Sequence, residues 1–166
     1  MQKQPRPSSA AINAYELIDD VCRAILQEPR RLNMNYWMAL EIETGADPTY
    51  FAPSGLPACG TVACVAGWTV LMHPQNRVNP QDWNVAKTAK YILAGEHPTM
   101  WSALSNLFQL SGIGFDPGTI AYAEIVVGEL RAFQTEYAEQ LRNRRIESYS
   151  YEDVDHAYYN TFQRSY

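Results

Sequence analysis

The stretch Cys59-Gly60-Thr61-Val62-Ala63-Cys64-Val65-Ala66-Gly67-Trp68-Thr69-Val70-Leu71-Met72 carries no charged side chain. A helix that is apolar on every face has nowhere to go but the middle of a domain. Ala63, Ala66 and Gly67 remove bulk on one side, so a neighbouring backbone can approach closely. This predicts a central helix that ends before Pro74. Val62, Val65, Thr69 and Val70 keep a strand open as the alternative, because branched side chains fit a pleated surface.

The rest of the 166 residues reads as further helices around that one. A share of 46% hydrophobic and 19% charged residues is that of a packed globular chain. Ile12, Tyr15, Ile18, Val21, Cys22, Ile25 and Leu26 recur at helical spacing, with Ser8 or Ser9 as cap and Pro29 as stop. Residues 30–37 lead into a short helix through Leu40, and 44–58 form a long loop punctuated by Gly45, Pro48, Pro53, Gly55 and Pro57. A third helix is bracketed by Asn79, Pro80 and Gly95. Thr99 caps a fourth, striped by Met100, Ala103, Leu104, Leu107 and Phe108. Asp116-Pro117 opens a long fifth helix carrying Ile120, Val127, Leu130, Tyr137 and Leu141. Ser150 with Asp153 forms a capping box for a last helix containing Val154, Ala157, Tyr158 and Phe162. The expectation is an all-α protein: one helical domain over 1–166, an irregular or orthogonal bundle around a central small-residue helix. Residues 1–8, with Pro5 and Pro7, are expected to be a flexible lead-in.

Several function classes lose ground on composition. A net charge of −5 argues against broad attachment to nucleic acid or to an anionic bilayer. No apolar run approaches the roughly 18–20 residues that span a membrane. The polar start lacks a secretion signal, and three cysteines make no disulfide framework, so the expected location is the cytoplasm, a host's if the chain is viral. No dinucleotide, phosphate-loop, zinc-protease or serine-elbow motif occurs, and Gly112-Ile113-Gly114 is too short a turn to hold a dinucleotide. No cofactor is expected.

Cys59-Gly60-Thr61-Val62-Ala63-Cys64-Val65-Ala66-Gly67-Trp68 resembles the C-G-T-x-x-C-x-A-G-W/H motif of a group of small bacterial and phage proteins. Leu32-Asn33-Met34-Asn35-Tyr36-Trp37 resembles the L-x-M-x-x-W stretch that precedes it, so the likeness covers about residues 9–73. It implies a shared fold and a microbial or viral origin, and it supplies no catalytic residue.

Two chemistries suit the central segment, and a third, metal binding, does not. A helix starting at Gly60 or Thr61 would offer free amides and the positive dipole end to a small anion such as a nucleotide, with Trp37, Tyr50 or Phe51 from the preceding segments. The plainer reading is that Thr61 merely caps a buried helix. Cys59 at such a terminus would be an activated thiol of a cysteine-dependent hydrolase, with His73, His97 or His156 as candidate base. Cys59, Cys64 and His73 lack the fourth ligand and close pairing of a zinc site, so no metal site is expected.

Arg142, Arg144 and Arg145 form the only basic cluster, followed by Tyr149, Tyr151, Tyr158 and Tyr159. Cations at a helix C-terminus complement its dipole, which suffices to explain them structurally. Glu147, Glu152, Asp153 and Asp155 break any nucleic-acid strip. Tyr and Arg are, however, the residues that dominate protein interfaces. The leading reading is therefore a non-enzymatic accessory protein that binds a protein partner, or its own copy, through Arg142, Arg145, Tyr151 and Tyr158.

Overall fold

The computed structural model describes residues 11–34, 38–40, 61–74 and 85–163. Among them, helices α1 (Ala14–Gln27), α2 (Val65–Met72), α3 (Val85–Ala94), α4 (Pro98–Phe108), α5 (Ile120–Glu136), α6 (Ala138–Asn143) and α7 (Tyr151–Gln163) make the protein mainly helical. A small antiparallel sheet pairs β1 (Met38–Leu40) with β2 (Thr61–Ala63), in the register Met38↔Ala63, Ala39↔Val62 and Leu40↔Thr61.

The packing runs in sequence α5–α1–α2–α3, with α4 and α7 laid against α3 and α6 against α1. Helices α1, α2, α4, α5 and α7 start where a side chain satisfies a free amide, whereas α6 follows directly on α5 without one. In α1 the cap is Asn13, whose Oδ1 accepts from the Glu16 amide at 2.9 Å; the proposed Ser8 and Ser9 lie outside the described residues. Leu17, Ile18, Val21, Cys22 and Ile25 go into the core, but Ile12 precedes the helix and is 65% exposed, while Leu26 falls off the stripe toward solvent. In α4, Pro98 takes the first turn and the cap is His97, not Thr99: its Nδ1 accepts from the Met100 amide at 3.2 Å. In α5 the cap is Thr119, two residues beyond Pro117. The expected long fifth helix breaks at Tyr137 into α5 and α6, and Ile120 faces outward. The capping box of α7 forms as expected. The Ser150 amide donates to Asp153 Oδ2 at 2.8 Å and the Asp153 amide to Ser150 Oγ at 3.2 Å.

The central segment departs from expectation at its start. Residues 61–63 lie in the sheet, and the helix begins only at Val65. Thr61 and Val62 are branched, and pairing with β1 gives their backbone polar groups partners that a helix start would have left free. The short helix expected through Leu40 is likewise replaced by β1. From Val65 onward the central position holds, since every residue of α2 is buried. Its cap is a thiol: Cys64 Sγ accepts from the Gly67 amide at 3.5 Å. Thr69 spends its hydroxyl on the Val65 carbonyl at 2.8 Å, and Trp68 Nε1 reaches the Arg31 carbonyl at 3.2 Å. His73, held extended by the following Pro74, closes the helix. Asn79 and Pro80 lie outside the described residues, while Gly95 ends α3 at a φ of +56°, which glycine adopts without strain.

Candidate interaction surface and the pocket beside it

The connector between α6 and α7 is stitched to the start of α1 and to the end of α3. The Ala14 amide donates to the Arg144 carbonyl at 2.8 Å and the Ile146 amide to the Ile12 carbonyl at 3.0 Å, so Asn13 and Arg145 face each other in a bridge. This fixes where the three arginines point. Arg142 is exposed and its guanidinium lies 4.2 Å from the centre of the Tyr15 ring. Arg145 is exposed on the bridge beside exposed Ile12.

Arg144 turns inward. Its Nη2 donates to the Tyr91 carbonyl at 2.9 Å and its Nε to the Ile92 carbonyl at 3.3 Å, with the guanidinium 4.9 Å from the Tyr91 ring centre. A Cβ placed on Gly95 would come within 3.3 Å of the Arg144 Cζ. The basic cluster therefore divides. The Arg144 guanidinium serves the last-turn carbonyls of α3, a distant helix, while only its backbone amide closes α6, donating to the Leu141 carbonyl at 3.3 Å. Arg142 and Arg145 remain for the surface.

Behind Arg144 is a cavity of about 30 Å³ lined by His73, Tyr91, Arg144, Glu147 and Tyr149 among others. It is on the scale of one water molecule. His73 is only 3% exposed and packs edge-on to Tyr149, ring centres 5.0 Å apart, and Tyr149 packs edge-on to Tyr91 at 6.1 Å. Burial pushes the His73 imidazole down to about 4; the Arg144 charge acts in the same direction, and a hydrogen bond to the Glu147 backbone partly opposes both. Burial pushes the Tyr149 phenol up to about 12. An acid or base poised near neutrality would need the opposite tuning.

Next to it, sharing Tyr91, is an open cleft of about 290 Å³ lined also by Glu96, Glu152, Asp153 and His156. Asn160 Nδ2 donates to Glu96 Oε1 at 3.2 Å, and the Ser150 hydrogen bonds hold the Asp153 carboxyl below its usual range. Glu152 and His156 thus line one cleft, as their four-residue spacing suggests, and both are exposed.

Of the proposed interface residues, Tyr151 is 41% exposed. Tyr158 is not a free surface group: its ring packs on Trp101 at 6.1 Å, and Lys87 Nζ lies 3.9 Å from its centre. It belongs to the joint of α7 with α3 and α4. Arg142, Arg145 and Tyr151 are each exposed, as is Ile12, a residue that periodicity had assigned to the core and that lies by Arg145 at the start of α1.

The central-segment chemistry fares differently. Trp37, Tyr50, Phe51, Cys59 and Gly60 lie outside the described residues. Thr61 sits in β2, four residues before the helix start, so the amides of the α2 terminus are not at Thr61 but at Val65, inside the core. Cys22 and Cys64 are both buried, and burial raises each thiol to about 11. Among the described residues no group of three or more His, Cys, Asp or Glu is arranged to hold a metal ion, and no helix is long and apolar enough to cross a membrane. The His73–Tyr149–Arg144 pocket was not legible in sequence; its sole local signal is His73 before Pro74, which places an imidazole just past the end of a buried helix. Comparison with protein-family models, with curated proteins and with solved structures finds no match to this chain.

Proposed function

We propose that this protein is a small accessory factor that binds another protein through the face formed by Arg142, Arg145 and Tyr151. The observation that supports the reading is the division of the arginine cluster. Arg144 is consumed by the carbonyls of α3, whereas Arg142 and Arg145 stay exposed on either side of it, next to exposed Ile12. Two guanidinium groups and an isoleucine at the start of α1, with an exposed tyrosine at the start of α7, supply charge, apolar area and ring surface, the mixture that protein interfaces use. The chemistry fits a partner segment carrying carboxylates, since the planar guanidinium pairs with carboxylate through two parallel hydrogen bonds. The resemblance of the central segment to small bacterial and phage proteins fits a microbial or viral accessory factor working in the cytoplasm.

A photo-crosslinking residue in place of Tyr151, with another in place of Ile125 on the exposed side of α5 as control, tests the reading in cells that make the protein. Discrete adducts from position 151 that vanish in the Arg142→Glu, Arg145→Glu double variant are the expected result. Adduct mass then separates a second copy from a different protein. Adducts unchanged by the double variant, or none at 151, would refute the reading.

A further inference from the structure

We propose that the protein pairs with a second copy of itself, with Arg145 of each copy seated in the acidic cleft of the other. The inference rests on the reading of Arg145 as a partner-binding residue, and it names the partner. The carboxylates that an exposed guanidinium selects are present on this chain's own surface. Glu96, Glu152 and Asp153 line the open cleft of about 290 Å³ beside Tyr91. Asp155 stands outside that set, 3.9 Å from Lys87 Nζ.

The basic and acidic groups lie side by side. Arg145 lines the small cavity behind Arg144, whose wall includes Tyr91, and Tyr91 lines the acidic cleft too. Arg145, Glu96, Glu152 and Asp153 are all exposed. Among the described residues neither Arg145 nor Glu152 enters an ion pair. The Ala14 amide on the Arg144 carbonyl and the Ile146 amide on the Ile12 carbonyl fasten the backbone on both sides of Arg145, so the fold sets where it stands. A carboxylate accepts about four hydrogen bonds. Glu96, with one from Asn160, and Asp153, with those from Ser150, therefore keep acceptor capacity.

Opposite charges next to each other on one surface are what a twofold interface needs. Each contact between two residues of such an interface is repeated with the copies exchanged. Turning a second copy about an axis beside Tyr91 brings its Arg145 over the first copy's cleft, and the first copy's Arg145 over the second's. A single exposed ion pair contributes little. Here the contact forms twice, and each guanidinium meets three carboxylates with a donor fork that matches their geometry. Tyr151, next to Glu152 in the chain and 41% exposed, adds ring surface.

Sedimentation equilibrium on the whole chain, across a dilution series at low and at high salt, measures the pairing. The expected result is a reversible monomer–dimer equilibrium that added salt weakens at least about tenfold. Arg145→Glu and Glu152→Arg are each expected to weaken it at least about tenfold, because each sets like charges against one another in both contacts. Mixed together, with one isotopically labelled, the two variants are expected to form a heterodimer in native mass spectrometry. One contact then holds the exchanged charges and the other the original pair. A wild-type chain that stays monomeric throughout, a dimer untouched by either variant, or a mixture without heterodimer overturns the inference. If the chain is monomeric while position 151 still crosslinks to a different protein, the inference falls and the broader reading stands. If position 151 crosslinks to nothing as well, both fall.

Discussion

Two buried helix ends are completed in opposite ways. At the start of α2 a neutral thiol, Cys64, caps an amide of its own helix, and neighbouring side chains such as Trp68 and Thr69 are spent within the core. At the end of α3 the carbonyls of Tyr91 and Ile92 are satisfied by a guanidinium that arrives from Arg144, more than fifty residues along the chain. The first solution is local, dry and closed. The second ties a distant connector to the core with a charge, and the same connector presents Arg145 to solvent. A conspicuous apolar run such as Val65–Met72 is thus spent on the core, while an unremarkable connector keeps Arg145 at the surface.

Removing the indole that packs α2 disturbs the closed end most. Trp68→Ala leaves a cavity and removes the hydrogen bond to the Arg31 carbonyl, and is expected to destabilise the protein by about 3–5 kcal/mol in urea unfolding. A loss under about 1 kcal/mol would mean α2 is not the centre of the packing. At the other end, Arg144→Ala removes two hydrogen bonds and a ring contact from the last turn of α3. An expected loss of about 2 kcal/mol, with faster exchange over residues 91–95, would confirm that this guanidinium caps α3. Smaller still is Ser150→Ala, which opens the capping box of α7 and costs about 1 kcal/mol in the same unfolding assay. Its effect should stay within α7, leaving amide exchange in α1 untouched.

How much of this was legible in the sequence depends on whether the cause was local. The capping box at Ser150 and Asp153 and the turn at Gly95 follow from residues a few positions apart, and both stand where sequence reasoning puts them. The buried character of the central segment was legible because an apolar run needs no partner to be recognised. Its start was not, because Thr61 to Ala63 are drawn into a strand by residues 38–40, a pairing that no local pattern announces. Caps made by His97 and Cys64 escaped because neither residue type is a usual N-cap. Tyr137, where α5 yields to α6, carries neither glycine nor proline to mark the break. Tyr158 looked like surface because tyrosines serve boundary and interface equally well; only the tertiary contact with Trp101 assigns it. Arg144 could not be separated from Arg142 and Arg145 until the connector's path was known.

The closed start of α2 is best tested by native-state thiol labelling of Cys64 with iodoacetamide at pH 7, located by peptide mass spectrometry. Sealed in the core with its thiol raised to about 11, Cys64 should react at least about a hundredfold more slowly than a free thiol and become reactive only on unfolding. Labelling of the folded protein at the rate of a free thiol would show that the end of α2 is open to solvent and contradict the account.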